Sequence, residues 1–144
     1  MIKEFGNLSE DREIDKLRLD EENVIQPSKY GYYLDALAQA KTELDRAKQN
    51  YEATVSARSL YYRRNPPTDV KATEAVYTDL VNTDTQVLEA KDALIRAQEA
   101  VNVMYASVAS IEDVRKSIDN LVKLQLSSYY NSQGMDSARD KLNQ

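Results

Sequence analysis

A chain of 144 residues, 42% hydrophobic and 30% charged, has room for one folded domain and is too apolar to be disordered. It contains no Cys and no His, which excludes disulfides, thiolate metal sites and every Ser-His-Asp or Cys-His arrangement, and so most hydrolytic chemistry. The net charge of −5 gives no global attraction to nucleic acid, so any such binding requires a local basic patch. Only three Gly and three Pro are present, a scarcity of breakers that favours a few long helices over many strands.

Residues 1–27 are rich in acids, including Glu10, Asp11, Glu13, Asp15, Asp20, Glu21 and Glu22. Sparse in large apolar groups, with Ile14, Leu17 and Leu19 able to form an amphipathic turn or two, they read as an acidic, partly mobile arm that Pro27 ends. No signal peptide is expected in residues 1–9, and no apolar run approaches the ~20 residues needed to span a bilayer, so a cytoplasmic protein without a membrane partner is expected.

Ser28 has the character of an N-cap. From there to about Arg64 small or apolar residues recur at Tyr33, Leu37, Ala40, Leu44, Ala47, Tyr51, Thr54, Arg58 and Tyr61, the four-three spacing of a helix packed on another helix. Such a helix would be roughly 55 Å long. Arg58 is the charged interruption of this seam. Asn65-Pro66-Pro67 stops the helix, because two prolines cannot both continue it. A short helix is expected after Thr73, carrying Ala75, Val76 and Leu80, and Thr83-Asp84 supplies the next N-cap.

A second long helix is predicted from Asp84 to Ser128, with a seam at Val87, Ala90, Leu94, Ala97, Val101, Met104, Val108, Ile111, Arg115, Ile118, Val122 and Gln125. A flanking row of Leu88, Ile95, Tyr105, Val114, Leu121 and Leu124 makes its apolar face wider than a two-stranded seam requires. Residues 131–144 read as a frayed tail. The predicted fold is all-α. A long antiparallel helical hairpin over residues 28–130, with a short helix between its arms, assembles with copies of itself into a helical homo-oligomer. A monomeric three- or four-helix bundle, closed by the N-terminal arm, is the alternative.

Function points to the segment from Arg58 to Pro67. Three Arg and two Tyr fall within seven residues, Lys71 follows, and Asp69 is the only acid between Arg58 and Lys71. Guanidinium forks match phosphate, and tyrosine rings stack on unpaired bases of any sequence. Arg58, Tyr61, Tyr62, Arg63, Arg64 and Lys71 are therefore the candidate DNA-binding residues. Against this stands the ordinary reading of a helix end, in which the tyrosines finish a core and the arginines complement the helix dipole. A second tyrosine group, Tyr30, Tyr32 and Tyr33, reads as packing near Tyr129-Tyr130. Carboxylate pairs such as Glu112-Asp113 read as solvated helix faces, so no catalytic residue, metal site or cofactor is predicted.

The run Ala57-Arg58-Ser59-Leu60-Tyr61-Tyr62, the proline break, and then Asp84-x-x-Val87-Leu88-x-Ala90-Lys91 opening a long amphipathic helix resemble the UvsY-type phage recombination mediators over roughly residues 30–125. The resemblance implies a small helical protein that forms ring-like homo-oligomers and binds single-stranded DNA. It also implies contact with a single-strand-binding protein and a recombinase, and help for the recombinase in replacing the former on the strand. The cytoplasm would then be that of the host cell. The family's DNA contacts centre on a Lys-Ala-Arg triplet, which here reads Ser56-Ala57-Arg58, with Arg63 and Arg64 following. Its C-terminal helix is linked to oligomerisation, which places Val101, Met104, Val108, Ile111, Ile118, Leu121 and Val122 at contacts between copies. The competing class is a coiled-coil scaffold or adaptor that uses the same helices and ignores DNA.

Overall fold

The structure, a computed structural model, describes residues 4–142, without the side chains of Tyr130, Gln133 and residues 135–141. The outermost residues of the expected arm and tail, 1–3 and 143–144, lie outside it. Four helices follow one another: α1 (Leu8–Asp11), α2 (Leu19–Arg64), α3 (Glu74–Asn82) and α4 (Thr85–Leu142). The described residues contain no strand, which agrees with the expected all-α class. None of their helices is long and apolar enough to cross a membrane.

The chain divides into two compact units, residues 35–105 and residues 1–34 with 106–144. In the 35–105 unit, Lys41 lies 4.9 Å from the Tyr105 ring centroid and Arg58 bonds Asp84, so residue numbers rise along α2 as they fall along α4. The two segments are therefore antiparallel. Leu37, Leu44, Val87, Ala90 and Val101 are buried, while Ala40, Ala47, Tyr51, Thr54 and Arg58 are half-buried, which follows the predicted seam. The seam ends on Tyr62 rather than Tyr61, which is 47% exposed. Thr73 caps α3, its Oγ1 accepting from the Val76 amide at 3.4 Å. Val81 is the residue that α3 buries, and the expected Val76 and Leu80 are half-buried.

The other unit departs further from expectation. Helix α2 starts at Leu19 and runs through Pro27, so Ser28 caps nothing. Its buried residues are Leu19, Glu22, Gln26, Lys29 and Tyr33, which continue the four-three alternation upstream of Leu37. Pro27 sits off that seam and is exposed. Burial along this stripe outweighs the lost amide, a penalty of ~3 kcal/mol for an interior proline. Three of the five stripe residues are polar, which hides the stripe from a search for apolar periodicity.

The arm is held by these polar groups. Lys29, wholly buried, donates from Nζ to the Asp11 carbonyl at 2.9 Å and lies 3.9 Å from Glu22. The Tyr33 hydroxyl donates to Asp11 Oδ2 at 2.7 Å, and the Gly6 amide donates to the same oxygen at 3.0 Å. Gly6 has φ +130°, a conformation that side chains rarely adopt, and a Cβ there would lie 2.8 Å from the Tyr32 hydroxyl. Tyr33 thus packs on the arm, and the expected packing near Tyr129-Tyr130 falls partly on the Tyr130 side chain, outside the described ones. On α4, Ile111, Val114 and Ile118 are buried and the Gln26 amide donates to the Ile111 carbonyl at 3.1 Å. Val114 takes the seam position expected for Arg115, which is exposed, as is Gln125. Helix α4 remains helical to Leu142, through the expected tail.

Candidate nucleic-acid interface

The last turns of α2 carry the candidate residues. The helix stops because Pro66 disfavours the helical conformation at Asn65. Asn65 closes the end by donating twice to the Tyr61 carbonyl, from its amide and from Nδ2, both at 3.0 Å. Arg63 and Arg64 stand in the last turn, where positive charge complements the helix dipole.

Arg58 answers the question that its place in an apolar seam raises. Its Nε donates to Asp84 Oδ2 at 2.8 Å, and the Tyr62 hydroxyl donates to the same oxygen at 2.7 Å. The other oxygen, Oδ1, accepts from the amides of Gln86 at 2.9 Å and Val87 at 3.4 Å. One buried carboxylate therefore caps α4 and anchors the end of α2. The Tyr62 hydroxyl and the Arg58 guanidinium hold it below the usual carboxylate range. Arg58 also stacks, its guanidinium carbon 4.2 Å from the Tyr61 ring centroid and 5.3 Å from that of Tyr62, and the two rings meet edge to face at 5.4 Å.

Arg63 is engaged differently. Its Nη1 and Nη2 donate to the two carboxylate oxygens of Glu74 at 3.0 and 2.7 Å, a fork-to-fork pair at the start of α3. The pair holds Glu74 below its usual range. The guanidinium carbon lies 5.3 Å from the Tyr77 ring centroid. Arg64 and Lys71 are exposed and have no ion-pair or hydrogen-bond partner among the described residues.

The six predicted residues thus separate into two kinds. Arg58, Tyr61 and Tyr62 form one cluster around Asp84, and Arg63 joins α3. Arg64 and Lys71 keep their charge unpaired. The sequence reading missed Asp84 and Glu74 as partners, because it counted acids only along the local segment. A charged residue at a seam position was the available signal, since a cation there calls for an anion across the seam. Among the described residues no group of acidic side chains converges to hold a metal ion.

Of the residues expected between copies, Val101, Ile111 and Ile118 are 4%, 0% and 1% exposed in the single chain, so their burial needs no second copy. Met104, Val108, Leu121 and Val122 are half-buried.

The fold defines the class as a small all-helical protein built on a long helix pair with a basic, tyrosine-bearing helix end. The family model described as "Recombination, repair and ssDNA binding protein UvsY" matches residues 7–134, and the chain belongs to the UvsY family. Crystal structures of the bacteriophage T4 recombination mediator protein UvsY share its fold. One aligns with a TM-score of 0.73 at 17% identity, covering 84% of this chain and 95% of that one. Another aligns with a TM-score of 0.71 at 18% identity, covering 84% and 92%. A search of curated proteins gives no match.

Proposed function

We propose that this protein is a recombination mediator that binds single-stranded DNA at the end of α2 and helps load a recombinase in place of a single-strand-binding protein. The carrying observation is the unpaired charge of Arg64 and Lys71 in the same segment as the exposed ring of Tyr61. The two cations are free to meet phosphates, and Tyr61, backed by Arg58, offers a ring on which a base can stack. Family membership and the shared fold support the same reading. Arg58 acts here through Tyr61, as a positioning residue.

The reading includes assembly with copies of the chain. On α4, Leu88 and Ile95 are each about half exposed and, seven residues apart, share one helix face, an apolar pair open to a neighbouring copy. A ring would present many weak strand sites at once and raise avidity by orders of magnitude. Wrapping the strand over such a ring would loosen a competing protein's hold on it. Fluorescence anisotropy of a labelled single-stranded oligonucleotide, with duplex as control, tests the proposal. Single-strand preference with steep salt dependence is expected. No binding at low salt would leave a scaffold or adaptor.

A further inference from the structure

Beside the strand-binding end of α2 lies a cavity of about 180 Å³ that neither the fold nor the proposed phosphate contacts use. Its apolar lining includes the half-buried Val55 and the buried Val81. Three polar side chains line it without a hydrogen bond among the described residues: the Ser59 hydroxyl, the Tyr77 hydroxyl and the Asn82 amide. The neighbouring Thr78 hydroxyl is already spent on the Glu74 carbonyl, at 3.0 Å. Arg63 forms part of the wall, its guanidinium plane fixed by both oxygens of Glu74.

We propose that this slot receives a single unpaired nucleobase of the bound strand, and this rests on the single-strand reading above. Size is the first reason. The space is well below the roughly 300–1,000 Å³ of a drug-sized site, so it admits one planar ring system and leaves sugar and phosphate outside. Chemistry is the second. The edge of a base carries donors and acceptors together, and Ser59, Tyr77 and Asn82 supply both kinds. An apolar side chain would replace none of the hydrogen bonds that water makes to these three, and a phosphate would meet the Glu74 carboxylate. Geometry is the third. The fixed guanidinium of Arg63 lies over the Tyr77 ring, 5.3 Å from its centroid, and the joined pair is a platform against which a base packs. Arg63 then has a task that its ion pair permits, since stacking uses the face of the guanidinium and the pair uses its edge.

The test compares a dT oligomer with an equally long oligomer of abasic tetrahydrofuran sites, by fluorescence anisotropy at low salt. The phosphates are the same, so only the bases differ. The abasic strand should bind about tenfold more weakly. In the double variant Ser59→Ala with Asn82→Ala that gap should narrow by about threefold, leaving the part that stacking contributes. Equal binding of both oligomers by the unsubstituted protein would overturn the slot and leave the phosphate-contacting reading standing. A gap of unchanged size in the double variant would place all base contact at stacking surfaces such as Tyr61 and overturn the slot as well. Failure of either oligomer to bind would remove both proposals together.

Discussion

Each unit is organised by one buried aspartate that accepts from a tyrosine hydroxyl at 2.7 Å, but the two aspartates sit in different settings. Asp11 binds Tyr33, and its carbonyl takes the wholly buried Lys29. Asp84 binds Tyr62 and takes Arg58, whose side chain stays 21% exposed and lies against the exposed Tyr61. The first cluster faces inward and locks an arm to a helix. The second faces partly outward and sets the position of surface groups. Similar bonding chemistry therefore serves closure in one place and presentation in the other, with the depth of the cation separating the two.

The comparison can be broken most directly at Lys29. Lys29→Met leaves the Asp11 carbonyl and the Glu22 carboxylate without their buried cation and should cost about 3 kcal/mol. Urea unfolding reads this, and a loss below about 1 kcal/mol would show that the arm is not locked there. Asp84→Ala removes a helix cap together with the anchor of Arg58, and should lower Tm by about 5–10 °C. Strand binding should fall with it, because Tyr61 loses the support of a fixed Arg58.

The two clusters should also fail at opposite ends of the pH scale. Asp84 is held below its ordinary value, first by Tyr62 and then by Arg58. Its stabilisation is complete above the unfolded value of about 3.9 and is lost as pH falls through the lower folded value. Tyr33 is raised, first by burial and then by its bond to Asp11. Its stabilisation is complete below the unfolded value of about 10 and is lost as pH rises toward the higher folded value. Asp84→Asn should therefore flatten the acid limb of the stability profile alone, and Tyr33→Phe the alkaline limb alone. A variant that flattens both limbs would contradict the separation.

How much of this was legible follows from what holds each part together. The antiparallel pairing of residues 35–105 was readable because its seam is mostly apolar or small at four-three spacing, and because Pro66-Pro67, Thr73 and Asp84 mark its turns chemically. The extension of α2 to Leu19 was not, because Glu22, Gln26 and Lys29 occupy seam positions with polar groups and Pro27 imitates a stop. At the candidate interface the residue types were legible and their states were not. Whether Arg58, Arg63, Arg64 or Lys71 is paired depends on Asp84 and Glu74, which only the antiparallel fold brings near. Local counting of acids described the segment as uniformly positive, although half of its four cations are neutralised.

Smallest in stability and largest in function is the effect expected at the unpaired pair. Arg64→Ala and Lys71→Ala should each change folding stability by less than about 0.5 kcal/mol, as surface substitutions without partners do. The salt dependence of single-strand binding by the double variant Arg64→Ala with Lys71→Ala, set beside that of the unsubstituted protein, tests the central claim most directly. The slope of log affinity against log salt should fall by about one to two units with helicity unchanged. An unchanged slope and affinity would show that the strand does not meet these two cations, and would contradict the assignment of the interface.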